Sequence, residues 1–399
     1  MRVLLCLLSD QHVPNLLSVH HFRPDGLVLV ESAEMRRKQA SNNFLSALKL
    51  GGHDFGDHCH VQQLEREDDL GAIRHALQQA YARCPGEEWV ANLTGGTKPM
   101  SIAAYEFFNA VGARLIYVNA PAPNVFLGLD GQAAETCGYR PSIKEFLAGY
   151  GFESRKPDEA IRQAENRARM WWDCARLIAA SDPAPRLLHF SGSPEEKRKQ
   201  WNRARDTGLD MLPEQFGPAA PEVCDAVRAC FDLQFAGNAL KGRLDKHAVG
   251  FLTGGWLEAF LFGLLERHAS SLNCWDIRLG ICPGKVGASA DNEFDITFMR
   301  GYGLAMIECK SGAQEHDPGA GALYKIEAAV RQFRALRVRS YLATTSGNVL
   351  EAGKLKPAIR NRADLYGCRV LMADEIRQLA GNPDSELTLR LFLDPQEGK

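Results

Sequence analysis

The chain has 399 residues, 45% of them hydrophobic and 24% charged, with a formal net charge of −2. That length exceeds what one compact core supports and implies two or three domains of ordinary globular composition. The balance of charge excludes a grossly basic nucleic-acid binder, although Lys and Arg number 13 against 16 Asp and Glu in residues 1–150, and 21 against 19 in residues 237–399.

Residues 1–130 alternate strand and helix signals. A strand at Val3–Leu8 runs into Ser9-Asp10-Gln11, and a helix is predicted over Val13–His20. A second strand follows at Gly26–Glu31, then a helix over Glu34–Leu50 closed by Gly51-Gly52. A weak strand at Cys59–Gln62, a helix over Asp68–Arg83 stopped by Pro85-Gly86, and a strand at Trp89–Leu93 come next. A helix over Met100–Val111 leads to strands at Ala113–Val118 and Asn124–Leu129. This rhythm predicts a Rossmann-like parallel sheet with helices on both faces. Past Pro141–Arg155 the rhythm breaks. Pro157–Ala180 reads as one long amphipathic helix ended by Pro183–Pro185, and residues 186–236 read as further helices with joints at Pro213–Pro221. From Gly237 onward a helix, several strands, a helix at Leu323–Leu336, a strand at Val338–Thr344, a helix near Glu351–Leu365 and a strand at Cys368–Met372 predict a second α/β unit. The expected domains are residues 1–145, a helical connector over 146–236, and 237–399.

Eleven cysteines show neither a CxxC pair nor framework spacing, which reads as reduced thiols in a cytoplasmic protein. Val3–Leu8 is too short for a signal peptide, and no apolar run is expected to span a membrane.

Two constellations carry chemistry. Between a buried strand and a helix lies Thr94-Gly95-Gly96-Thr97-Lys98-Pro99-Met100. Gly95 and Gly96 permit close approach of a ligand to the backbone, and Pro99 suits a first helical turn. Free N–H groups there, the hydroxyls of Thr94 and Thr97, and the Lys98 ammonium make an anion site. The spacing is neither a Walker A loop nor GxGxxG. Further on, Asn292-Glu293-Phe294-Asp295-Ile296 and Met306-Ile307-Glu308-Cys309-Lys310 place charges where strands bury apolar side chains. Side chains alternate along a strand, so a hairpin turning at Tyr302-Gly303 brings Glu293, Asp295, Glu308 and Lys310 together. Clustered carboxylates need a cation, and oxygen ligands select Mg²⁺ or Mn²⁺. Asp295 and Glu308 would hold it with the carbonyl of Cys309, while Lys310 orients or deprotonates water.

At these residues the chain resembles two known families. Asp295 followed by Glu308-Cys309-Lys310 is similar to the PD-(D/E)xK nuclease signature, whose upstream acidic helix is matched by Glu258 within Phe251–Leu265. The Thr94–Met100 element, after a first strand ending in Ser9-Asp10, resembles the CARF domain, the CRISPR-associated Rossmann-fold sensor of cyclic oligoadenylates. Together they resemble the CRISPR ancillary nucleases activated by cyclic tetra-adenylate, which are homodimers with the activator on the dyad. The resemblance implies that Gly95, Gly96, Thr97 and Lys98 contact its phosphates, with Ser9, Asp10 and Gln11 lining the same crevice. It implies Glu258 as a metal ligand or supporting carboxylate, and a restriction-endonuclease-like fold for the C-terminal domain. The expected function is cyclic-oligoadenylate-activated cleavage of single-stranded DNA, RNA or nicked duplex; the alternative is a sensor that binds nucleic acid without cutting it.

Other features weigh less. His53, His58, Cys59 and His60 lack the further ligands a zinc site needs. Trp171-Trp172 is expected in core or dimer packing rather than as a base-stacking platform. The basic runs Lys197-Arg198-Lys199 with Trp201, Arg203 and Arg205, and Lys354, Lys356, Arg360 and Arg362, suit solvated faces or nucleic-acid contact. Glu293 is an added metal ligand or a strand-edge charge, and Lys325 and Gln332 are candidate phosphate contacts.

Overall fold

The computed structural model describes residues 1–83, 88–119, 122–182, 184, 186–285, 293–312, 321–324, 326–327, 338–385 and 393. Its N-terminal sheet comprises β1 (Arg2–Leu7), β2 (Gly26–Glu31), β3 (Cys59–Gln63), β4 (Glu88–Asn92), β5 (Arg114–Val118), β6 (Val125–Gly128) and β7 (Glu135–Thr136). Their order is β3-β2-β1-β4-β5-β6-β7. The first five are parallel, while β6 and β7 close the edge in antiparallel fashion, which a purely parallel expectation missed. The unbroken apolar runs of β1 and β2 follow from burial on both faces. Leu4, Cys6, Leu27 and Leu29 point into one core, and Val3, Leu5, Leu7, Val28 and Val30 into the other. The predicted Glu34–Leu50 helix is two helices, Ala33–Arg37 and Ala40–Leu50, because Gln39 between them is left-handed at φ 55°.

The segment after residue 150 departs further from expectation. Pro157–Ala180 divides at Trp171 into Asp158–Met170 and Trp172–Ala180. Residues 186–236 are not all helical: Leu209–Met211 and Gln234–Ala236 join Ala239–Leu244 in a three-stranded sheet. Nor is the connector a body of its own. Trp172, Ala175, Ile178 and Val227 share one core with Trp256–Leu265 and with the C-terminal sheet. The apolar stripe of Trp172–Ala180 packs on the connector's own Pro221–Phe231 helix, and also on Trp256–Arg267 and Ala373–Gly381 of the following domain, so the core runs through both. The Trp172 indole N–H donates to the Phe260 carbonyl at 3.2 Å, and Trp171 packs on Phe231 and Phe251, so of core and dimer packing the pair serves the core of this chain.

The C-terminal sheet runs Cys274–Ile281, Phe294–Arg300, Gly303–Lys310, Arg339–Thr344 and Cys368–Leu371. The first three are antiparallel neighbours and the last two join in parallel. Met299, Leu304 and Met306 from this sheet lie in the same core as Leu4 and Phe146 of the N-terminal domain. The 22-residue helical stretch Lys246–Arg267 is apolar and long enough to span a bilayer, contrary to the sequence expectation. Of its 18-residue apolar window 72% is buried within the protein, and it forms the central core helix.

Candidate functional site

The hairpin turns one residue earlier than expected. Arg300 pairs with Gly303, and Gly301 and Tyr302 both take positive φ, 56° and 61°, as a two-residue type I′ turn requires. Ile296 pairs with Ile307, so one further step of the same register sets Asp295 opposite Glu308. Directly opposed residues share a face. Here the strands part: the Cys309 N–H donates to the Asp295 carboxylate at 2.7 Å. Glu308, only 3% exposed, holds the Lys310 ammonium at 2.6 Å.

Glu258 reaches this cluster from the core helix. Ahead of it, Phe251–Gly255 forms a π turn in which Gly254 adopts φ 152°, and a Cβ there would lie 2.6 Å from the Ser311 hydroxyl. The two glycines thus let the helix start against the loop that follows Lys310. Burial, then the Asp295, Glu293 and Glu308 charges opposed by Lys310, push the Glu258 carboxyl up to about 8. Burial also works against the Lys310 charge, but Glu308 and Asp295 outweigh it and hold the ammonium above its ordinary value. Three carboxylates around one ammonium leave an excess of negative charge, which a proton on Glu258 relieves. Among the described residues, no three His, Cys, Asp or Glu side chains stand as a preformed metal cage. The all-oxygen donor set nevertheless suits a hard divalent cation. Glu293 is ion-paired to Lys156 at 2.9 Å and more than half exposed, which favours the strand-edge reading. Lys325 and Gln332 lie outside the described residues.

The second site sits at the C-terminal ends of β1 and β4, where the strand order reverses and α/β sheets open a crevice. A Cβ on Gly95 would come within 2.0 Å of the Leu7 carbonyl oxygen, so only glycine fits. Gly96 adopts φ 71°. Thr97 caps the Lys98–Ala110 helix, accepting from the Met100 N–H. Thr94 departs from the expected anion role: its hydroxyl donates to Asn92 at 2.6 Å and accepts from the Val118 N–H at 2.8 Å, so it braces the turn. Ser9 accepts from the Gln11 N–H at 3.2 Å, closing the loop after β1. Lys38 pairs with Asp10 at 2.7 Å and offsets a carboxylate that would repel an anion.

Beneath the crevice lies a network that sequence reasoning missed. The Asn92 amide donates to Asn15 and Ser18, each at 2.9 Å, and the Asn15 amide donates to the Leu7 carbonyl at 2.9 Å. The one signal was an asparagine at the end of an apolar strand. His12, 5% exposed, is edge-on to Tyr150, and its ring nitrogens have no hydrogen-bond partner among the described residues. The histidines weighed for zinc form no ligand cluster among the described residues: His60 contacts Gln62 and Arg83, and His53 contacts His20.

The chain thus fuses a Rossmann-like sheet, with a glycine-rich turn at its switch point, to a sheet bearing Asp295, Glu308 and Lys310. It belongs to the Card1-like family: residues 3–146 match the Card1 CARF domain and residues 245–378 the Card1-like endonuclease domain. Among solved structures it is similar to Can2 from Sulfobacillus thermosulfidooxidans in complex with cyclic tetra-adenylate, at 20% identity and TM-score 0.67, covering 99% of this chain and 100% of that one. Protein VC1899 from Vibrio cholerae matches at 15% identity and TM-score 0.71, over 97% of both chains. A type III CRISPR defence DNA nuclease activated by cyclic oligoadenylate matches at 19% identity and TM-score 0.50, over 86% of this chain and 45% of that one. No curated protein matches the sequence.

Proposed function

We propose that the chain is a cyclic-oligoadenylate-activated, metal-dependent endonuclease of type III CRISPR antiviral defence, acting in the cytoplasm as a homodimer on single-stranded DNA, RNA or nicked duplex. The observation that carries the catalytic part is the set of contacts around Glu308: Lys310 pairs with it at 2.6 Å, the adjoining Cys309 N–H donates to Asp295 at 2.7 Å, and Glu258 lies close enough to feel these charges. Asp295, Glu308, the Cys309 carbonyl and Glu258 would hold Mg²⁺ or Mn²⁺, which supplies a Lewis acid for the phosphate and a more acidic water. Lys310, held charged by its neighbours, serves better as a donor that orients water or a phosphate oxygen than as a base. Burial of Glu308 and partial burial of Glu258 limit how far bulk water screens these charges.

Cyclic tetra-adenylate is the proposed activator, supported by the ligand of the Can2 complex and by the crevice chemistry. Its phosphates would meet the Gly95 and Gly96 N–H groups, Thr97 and Lys98 at a helix N-terminus. Ser9, Asp10 and Gln11 would line the opposite wall, and two identical subunits suit the equivalent halves of a four-fold ring.

The test is cleavage of labelled single-stranded DNA and RNA with Mn²⁺, with and without cyclic tetra-adenylate. Cleavage should require both additions and be abolished by Glu308→Ala, whose activator affinity stays near that of the parent. Undiminished cleavage by Glu308→Ala refutes the assignment, and activator binding without any cleavage by the parent leaves a sensor that does not cut.

A further inference from the structure

Beside the acidic cluster lies a cavity of ≈ 540 Å³ that the nuclease chemistry described above does not use. Ser311 and Gly312, the two residues after Lys310, form one wall. Thr253, in the π turn that leads to Glu258, forms another. The cavity therefore opens next to both elements that carry the catalytic carboxylates. Its remaining side is built by the connector, whose Arg186, His189, Lys197 and Arg198 face Phe190, Trp201 and the buried Trp256. Among the described residues, none that lines the cavity is acidic. The Arg186 guanidinium comes within 4.0 Å of the position a Cβ would take on Gly312, so this cation is drawn up against the catalytic loop.

The helix that supplies the outer wall, Pro194–Thr207, repeats Lys197, Trp201 and Arg205 at four-residue intervals, which sets them on one face. Arg205 stacks over the Trp201 ring at 4.7 Å, fixing its plane. Of this helix only Ala204 is fully buried, so its sequence is not explained by packing. Clustered cations select a polyanion, and flat indole and phenyl rings select a π-face. A nucleotide offers both, and the volume is within the range of small-molecule pockets.

We infer that this cavity is a nucleotide pocket that takes one unstacked base and the adjoining phosphates of the substrate strand beside the scissile bond. Arg186, Lys197 and Arg198 hold phosphates, and Trp201 stacks the base. A base inside a duplex is paired and stacked and has to be extruded first, at an energetic cost that an unpaired strand avoids. The pocket thereby confers a preference for unpaired nucleotides on the proposed nuclease, and it rests on that reading.

Binding is separated from cutting by working in Glu308→Ala. Labelled oligothymidylate, oligouridylate and a blunt duplex are titrated into Glu308→Ala and into the same protein carrying Trp201→Ala or Trp201→Phe. Trp201→Ala should weaken binding of both single strands about tenfold, Trp201→Phe should recover most of it, and the duplex should change little. Lys197→Ala and Arg198→Ala should each reduce the salt slope of single-strand binding by about one. Parent-like single-strand affinity in Trp201→Ala, or an equal loss for the duplex, overturns the pocket. Circular dichroism and activator binding check that the exposed helix still folds. Failure of the parent protein to cut any strand counts against the nuclease, whereas the binding titrations decide the pocket by themselves.

Discussion

At the scale of single residues, two titrations make the site measurable without turnover. Glu258 is pushed up to about 8 by burial and the neighbouring carboxylates, so it carries a proton at neutral pH. A divalent cation favours the ionised form, and its binding at pH 7 should release close to one proton. Calorimetry with Mn²⁺ in buffers of different ionisation enthalpy reads that proton; release that persists in Glu258→Gln would remove Glu258 from the metal site. His12 gives the opposite case. Burial, opposed by the Glu145 charge, drives its imidazole down to about 3. Between that value and the ordinary 6.5, the unfolded chain binds a proton that the native protein refuses. Stability is therefore fully present above about pH 6.5 and falls as the pH drops, by up to about 1.4 kcal/mol per pH unit. Urea unfolding at pH 7 and pH 5 should show a smaller loss for His12→Gln than for the parent; equal losses would place the acid sensitivity elsewhere.

At the scale of elements, each site is a turn held by its surroundings. The Thr94–Met100 turn is wedged against β1 because Gly95 has no side chain, and Asn15 and Asn92 fix both sides of that contact. Gly95→Ala forces a methyl group onto the Leu7 carbonyl and displaces the N–H groups proposed to meet the activator. Cyclic tetra-adenylate affinity should fall at least about tenfold, with a stability cost of roughly 1–3 kcal/mol as in other overpacked sites. Calorimetric affinity equal to that of the parent would show that the ligand does not use this backbone. The hairpin works by the same logic, since its I′ turn fixes the register and the register alone decides whether Asp295 meets Glu308.

At the scale of the whole molecule, sensor and nuclease are not beads on a string. Met306, two residues before Glu308, lies in the core that also contains Leu4 of β1 and Phe146. The Trp275 indole N–H donates to the Pro141 carbonyl at 2.7 Å, and Phe152–Ser154 pairs with Pro283–Lys285. A change at the crevice can therefore reach the catalytic strand through packed side chains. Under the proposed function, activator and substrate would favour the same arrangement, and by reciprocity each would tighten the other. A ~100-fold activation corresponds to about 2.7 kcal/mol of coupling. Titrating cyclic tetra-adenylate into Glu308→Ala with and without saturating uncut strand measures it. Identical affinities in the two titrations would mean that the sites are not linked through this core.

The sequence by itself determined the α/β rhythm of the first domain, the glycine-rich turn and the acidic hairpin, because strand alternation, glycine freedom and a charge in an apolar run are local facts. It placed Asp295, Glu308 and Lys310 together with no structure at hand, since the hairpin that joins them spans few residues. What only the tertiary structure decided is everything that depends on distant chain segments meeting. The connector lost its independence because its apolar stripe found a partner in Trp256–Leu265. The sequence alone puts the Thr94 hydroxyl in the anion site, yet β5 claims it through the Val118 N–H. The cavity between Trp201 and Ser311 joins residues over a hundred positions apart, and no periodicity encodes such a meeting.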